Sequence, residues 1–245
     1  MNLHLISFCA PEERFASTKN RFYNEALNME LFKSINIFTE KNCFEYCSEL
    51  SQHKKFMEST RAYGFWIWKS FLISELMKSV PEDDIICYAD LGCTFNPNGK
   101  ERMNEYYQLA MENGSLCFDT FHLEKKYTKF DTYARIFPSD DCHLDTGHRC
   151  ATVYFLKNNE VNRKIIEEFK SISIEDNYHY IDDSKSLILD EYNFLIEHRY
   201  DQSIFSLLSK KHNFYCISDE TWWPDPIQNW YETAKKYPIW ATRIK

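Results

Sequence analysis

Glycine is scarce. Five occur in 245 residues, at Gly64, Gly92, Gly99, Gly114 and Gly147, where the usual share of about 7% would supply about 17. No two have the spacing of a dinucleotide fingerprint or a phosphate-cradling P-loop. P-loop ATPases and GxGxxG dehydrogenases are thereby excluded, and any nucleotide phosphate must be held by side chains or a metal. Positive charge is also in deficit: 29 Lys and Arg against 37 Asp and Glu leave −8. That argues against a nucleic-acid partner, since such binding needs clustered cations. No stretch nears the ~20 apolar residues of a membrane-spanning helix. Met1 to Cys9 has neither the basic start nor the apolar length of a signal peptide. The nine cysteines include no C-x-x-C pair and no zinc-ribbon spacing. Several lie in apolar runs, where a reduced thiol behaves as a small hydrophobe. These features point to a soluble, cytoplasmic protein with no transmembrane segment.

What is abundant is apolar and aromatic: 44% hydrophobic residues, 17% Phe, Trp and Tyr, enough for a full core without staples. Leu3 to Cys9 reads as a buried first strand, followed by a helical stretch from about Glu12 to Leu31 and a short strand over Ser34 to Phe38. Residues 43–59 are helical in pattern and mostly polar, which predicts a surface position. Trp66 to Met77 is a strong helix, with Trp66, Phe71, Ile73, Leu76 and Met77 on one side. Ile85 to Ala89 is a continuous apolar run, the mark of a central strand covered on both faces, and it opens at Asp90-Leu91-Gly92. A strand over Ala151 to Leu156, helices from Glu160 to Phe169 and about Asp201 to Leu208, and a strand at Phe214 to Ile217 follow. The alternation predicts an α/β fold with a mostly parallel central sheet flanked by helices. No linker or repeat divides it, so residues 1–245 read as one domain.

Five constellations could carry chemistry. Asp90 ends the buried strand, and a carboxylate there needs a cationic partner, such as a divalent metal, to offset its desolvation. Gly92 gives a ligand room to approach the backbone; the plain alternative is a turn-capping Asp. Trp66 and Trp68 beside Gly64 could form a flat wall for a base or sugar, with Lys69 as a phosphate cation, or simply pack in the core. Near Asp201, His198, Arg199 and Gln202 could meet an acceptor hydroxyl or a diphosphate at a helix start, although Asp201 is equally a helix cap. The charged run Glu124 to Asp131, including Lys129, reads foremost as a solvated face. The aromatic tail with Trp222, Trp223, Trp230 and Trp240 should fold back onto the body, bringing Arg243 and Lys245 with it.

Four of these blocks occur in a familiar order. Gly64-Phe65-Trp66-Ile67-Trp68-Lys69, the strand Ile85 to Cys93, Thr128-Lys129, and Glu197 to Leu208 together resemble a bacterial and viral family of glycosyltransferases with a GT-A-type fold. The matches span residues 61–209. The resemblance implies that Asp90 corresponds to the first carboxylate of the Asp-x-Asp element that binds metal and sugar, with Mn²⁺ or Mg²⁺ as cofactor. It also implies that Asp201 and Gln202 line the reaction centre, and that Lys69 lies on the helix before the Asp90 strand. Three positions depart from the family: Ser70 stands for a proline, Tyr200 for a histidine, and Gly92 for the second aspartate of the metal site.

The resemblance therefore implies transfer of a hexose-type sugar from a nucleotide-diphosphate donor to a saccharide or other hydroxyl acceptor. Phe8, Lys69, Asp90, Gly92, Lys129 and Arg243 would contact the donor. Trp66, Trp68, His198 and Arg199 would wall the acceptor, and Asp201 and Gln202 would serve the reacting centre. Two other readings remain: a metal-dependent phosphoesterase using Asp90, Asp201 and His198, and a degenerate transferase fold that binds glycans without turnover.

Overall fold

The computed structural model describes residues 1–139, 141–188 and 194–244; Lys245 of the tail lies outside them. Its strands are β1 (Leu3–Cys9), β2 (Phe32–Thr39), β3 (Ile85–Ala89), β4 (Thr94–Phe95), β5 (Ser115–Leu123), β6 (Gly147–Arg149), β7 (Val153–Lys157), β8 (Cys216–Ser218) and β9 (Ile239–Trp240). The main sheet has the order β2-β1-β3-β7-β5-β6, with β8 on β5. β1 runs parallel to β2 and β3, and β8 parallel to β5. β7 is antiparallel to both β3 and β5, and β6 to β5. The expected α/β architecture is present, with helices on both faces.

Strand alternation explains the uninterrupted apolar runs. Leu3, Leu5, Ile85, Cys87 and Phe155 point to one side, toward Phe22 and Ala26 of the Glu12–Asn28 helix and Met103 and Tyr106 of the Lys100–Asn113 helix. Ile6, Phe8, Ile86, Tyr88 and Tyr154 point to the other, where the Trp68–Ser79, Glu160–Tyr178 and Asp201–Lys211 helices supply Phe71, Ile165, Phe169 and Phe205. A strand covered twice has no polar face to show. The tail does fold back: β9 pairs with β4, and Trp230 and Trp240 are buried. Among the described residues no helix is long and apolar enough to cross a membrane.

One expectation holds and one fails. Residues 43–59 are helical, in three short pieces, and lie at the surface, with Cys43, Cys47, Leu50 and Met57 turned inward against the core. The run Glu124 to Asp131 is not a solvated face, because Glu124, Thr128, Lys129 and Asp131 are all buried. Buried charge must be paired, and this one is. Glu124 Oε1 accepts from Thr128 Oγ1 (2.5 Å) and meets His148 Nδ1 (2.9 Å). Its Oε2 accepts from Ser206 Oγ (2.5 Å) and Lys210 Nζ. Burial alone would raise the Glu124 carboxyl; His148 and Lys210 outweigh it and hold it well below the usual carboxylate range.

This network ties β6 and the 124–128 turn to the Asp201–Lys211 helix. A depressed carboxyl contributes stability that is present above its unfolded value near 4.5 and is lost as pH falls. Glu124→Gln leaves Lys210 buried without its counter-charge, so urea denaturation at pH 7 should show a loss of about 3–5 kcal/mol, and the gap to wild type should narrow only as pH falls below about 4.5. Equal stability at pH 7 would remove the pair from the account.

Candidate active site

The site is built where β3 ends. Because β7 is antiparallel to β3, with Ala89 opposite Val153, residues Ala151 and Thr152 arrive at the same edge, and Asp90 N donates to Thr152 O (2.9 Å). Lys69, on the first turn of the Trp68–Ser79 helix, points into this corner and is 2% exposed. Its ammonium lies 2.5 Å from Asp201 Oδ2, 3.0 Å from Ala151 O and 3.8 Å from Asp90 Oδ1. It also sits 4.4 Å from the centre of the Tyr88 ring. Tyr88 donates to Asp90 Oδ1 at 2.5 Å. Gln202 Oε1 accepts from Ala151 N (3.3 Å), so Lys69 and Gln202 grip one short backbone segment from both sides.

Burial decides the electrostatics. Asp201 is 4% exposed, and loss of water pushes its carboxyl up to about 6 against the pull of Lys69, with Asp90 adding repulsion. Burial works to lower the Lys69 ammonium, but Asp201 and Asp90 outweigh it and hold it above the usual lysine value. At neutral pH the pair is therefore Asp201 anion and Lys69 cation. Asp90 differs: its side chain is a third exposed, with Oδ1 engaged and, among the described residues, no partner on Oδ2.

The Lys69 helix does not begin at Trp66. Ala62, Tyr63, Gly64, Phe65 and Trp66 all have positive φ, from 48° to 90°, and Phe65 N donates to Arg61 O (2.8 Å). This is a left-handed turn, which costs ~1–2 kcal/mol per non-glycine residue. Only Gly64 adopts it freely, and a Cβ there would also meet Met57 Cγ at 2.7 Å. Helical periodicity in sequence is blind to handedness.

The structure brings together Lys69, Asp90, Asp201 and Gln202. Asp201 is the first residue of its helix, behind Tyr200 at the cap position, and its carboxylate goes to Lys69. Arg243 is exposed beside Gly92, and among the described residues no carboxylate pairs with it. Gly92 serves another purpose than ligand access: a Cβ would lie 3.1 Å from Arg243 Cα, and its carbonyl accepts from Thr242 Oγ1 (2.9 Å) and Ile244 N (3.2 Å). The chain's own tail fills that space.

Other expected site residues go elsewhere. Trp68 and Phe8 are buried and stack on each other at 4.2 Å, so they are core and make no ligand wall. Trp66 separates from Trp68 and stacks on Tyr200. Lys129 is 1% exposed and its ammonium is spent on His179 O, Asp182 (3.0 Å) and Ser184 (3.1 Å), pinning the segment after the Glu160–Tyr178 helix. His198 accepts from Lys129 N and donates to Tyr180 O, both at 3.1 Å; burial, with Lys129, pushes its ring down to about 3, so it is a neutral strut. Arg199 stacks 3.8 Å over the Tyr127 ring and bonds Glu197.

Sequence reasoning missed Tyr88, although strand alternation puts positions 88 and 90 on one face. It also missed the Ala151 carbonyl, which no side-chain motif announces. The donor set does not fit Mg²⁺ or Mn²⁺, which seek about six oxygens. Asp90 offers one free oxygen with an ammonium close by, Gly92 offers none, and Asp201 is tied to Lys69. Among the described residues no three His, Cys, Asp or Glu side chains are arranged to hold a metal ion.

The sequence matches no protein-family model and no curated protein. The structure is similar to that of mouse xyloside xylosyltransferase 1 (TM-score 0.50, 13% identity), over 98% of this chain and 97% of that one. It is also similar to a glycosyltransferase involved in glycosylation of the major capsid of PBCV-1 (TM-score 0.51, 12% identity), over 98% and 93%. What is shared is the fold. The α/β architecture is GT-A-like from end to end, and the implied fold stands.

Mn²⁺ or Mg²⁺ added alone should leave the thermal melting temperature unchanged. A stabilising shift that disappears in Asp90→Asn would show a metal site there after all.

Proposed function

We propose that the protein is a nucleotide-sugar-dependent glycosyltransferase of the cytoplasm, moving a hexose-type sugar from a nucleotide-diphosphate donor to a hydroxyl on a saccharide or related acceptor. The observation that carries this reading is the pairing of a buried, ionised Asp201 with Lys69 within one ammonium's reach of the half-open Asp90. Open α/β sheets take their ligands at such strand ends, and the GT-A-like fold agrees.

In this reading Asp90 Oδ2 accepts hydrogen bonds from donor hydroxyls, while Tyr88 holds the other oxygen still. The acceptor oxygen attacks the anomeric carbon as the bond from that carbon to the diphosphate oxygen breaks. The bonding pair leaves on the diphosphate, and the acceptor proton goes to Asp201. Charge that grows on the leaving group in the transition state is met by the exposed Arg243, and stabilisation that strengthens at that point is what speeds departure. No step is routed through a metal. Lys69 keeps Asp201 aimed and anionic at neutral pH, and burial keeps it basic enough to take a proton.

Two variants test the assignment with UDP- and GDP-sugars. Asp90→Asn should keep its circular dichroism and lose turnover. Asp201→Asn should fall by ~10²–10⁴-fold in kcat. The wild-type rate should rise with pH through about 6 as Asp201 ionises and lose that limb in the variant. Turnover by Asp90→Asn at the wild-type rate, or release of phosphate from simple esters with no sugar transferred, would contradict the reading.

A further inference from the structure

Two departures from ordinary backbone geometry meet beside the ion pair. One is the left-handed turn over residues 62–66. It ends three residues before Lys69, and Lys69 N donates to Trp66 O (3.0 Å), so the turn sets where that helix starts. The other is Tyr200, with φ 53° and ψ −124°, a region that strains any residue with a side chain. Tyr200 immediately precedes Asp201. Each strained segment is thus joined by backbone to one half of the Lys69–Asp201 pair.

Side chains join the two segments to each other. The Tyr200 ring stacks on Phe65 (5.0 Å, 21°) and on Trp66 (5.7 Å, 27°). Arg61, at the head of the turn, lies 5.3 Å over the same ring and donates from Nη1 to Tyr200 Oη (2.9 Å). Backbone held in such conformations persists only where its surroundings over-determine it, and it gathers at functional sites. Here the surroundings are this stack.

We propose that Tyr200 is a positioning residue: its stack on the left-handed turn clamps the start of the Lys69 helix to the start of the Asp201 helix and keeps Asp201 in dry contact with Lys69. That the pair is catalytic rests on the transferase reading; that Tyr200 sets the pair does not. The charged and titratable groups facing Asp201 are Lys69 from its helix, Asp90 and Tyr88 from the end of β3, and Tyr154 from β7. None belongs to the clasp, so a change at Tyr200 acts on Asp201 through position and water.

The test follows the Asp201 carboxyl by ¹³C NMR, assigned with Asp201→Asn, in the full chain. Tyr200→Phe keeps the stack and should keep the midpoint near 6 and the wild-type transfer rate. Tyr200→Gly relieves the strain and removes the stack. It should melt cooperatively, yet its Asp201 midpoint should drop by at least one pH unit toward 3.8 as water enters. Its sugar transfer should fall at least ~10-fold even at pH 8, where Asp201 is ionised in both proteins. If Tyr200→Gly does not fold, Trp66→Leu, which removes part of the stack at a half-exposed position, should lower the midpoint in the same direction. An unchanged midpoint in Tyr200→Gly or, failing that, in Trp66→Leu overturns the proposal, as does a Tyr200→Phe midpoint displaced as far as that of Tyr200→Gly. A downward shift confined to the variants that break the stack upholds it, whatever the wild-type protein transfers.

Discussion

One lysine ammonium organises this site. Lys69 is almost wholly buried, and a buried charge survives only if nearby groups replace the water it has lost. Asp201, the Ala151 carbonyl, the Tyr88 ring and Asp90 do so together, and they come from three separate stretches of chain: the Asp201–Lys211 helix, the approach to β7, and β3 with the residue that follows it. Satisfying that one cation forces those stretches to converge at the edge where β3 ends. The antiparallel course of β7 is part of the same solution, since a parallel strand would have brought its opposite end to this corner. The left-handed turn that precedes Lys69 and the strained Tyr200 that precedes Asp201 are the local costs of the convergence.

The two acids at this corner are made unlike by their surroundings. Asp201 is buried, so it is a weak acid despite its ion pair; Asp90 keeps a third of its side chain in solvent and one oxygen unengaged. One is suited to hold or take a proton and the other to accept hydrogen bonds from a ligand. A phosphoesterase built from Asp90, Asp201 and His198 has no support in this arrangement. His198 is a neutral strut between Lys129 and Tyr180, and among the described residues no cluster of His, Cys, Asp or Glu side chains is arranged to hold a metal ion. The Glu124 network forms a second buried anchor on the same helix, binding its far end to β6 while Lys69 binds its start.

Much of the frame was legible in the sequence because a strand covered on both faces leaves an uninterrupted apolar run. β1 has the bounds read from Leu3 to Cys9, and β3 those read from Ile85 to Ala89. The Lys100–Asn113 helix and β5 were not read at all: the helix is mostly polar, and β5 carries buried Cys117 and Phe118 but exposed Phe121. At the site, Asp90, Lys69, Asp201 and Gln202 were found as types in a pattern, yet their mutual contact was not foreseeable, because 132 residues separate Lys69 from Asp201. Lys129 and His198 were misread for one reason. Charged and polar residues look alike in sequence whether they face a ligand or pin a loop, and only the identity of their partners tells the two apart. Trp68 and Phe8 failed in the complementary way, since an aromatic that packs on another aromatic is indistinguishable in sequence from one that stacks on a base.

The most direct test of the account is a crystal structure of the protein with a nucleotide sugar or its nucleoside diphosphate. The account predicts the diphosphate beside Arg243, a donor hydroxyl on Asp90 Oδ2, and Asp201 facing the open side of the anomeric position with its bond to Lys69 intact. A ligand seated away from the end of β3, with Asp201 sealed off from it, would contradict the account.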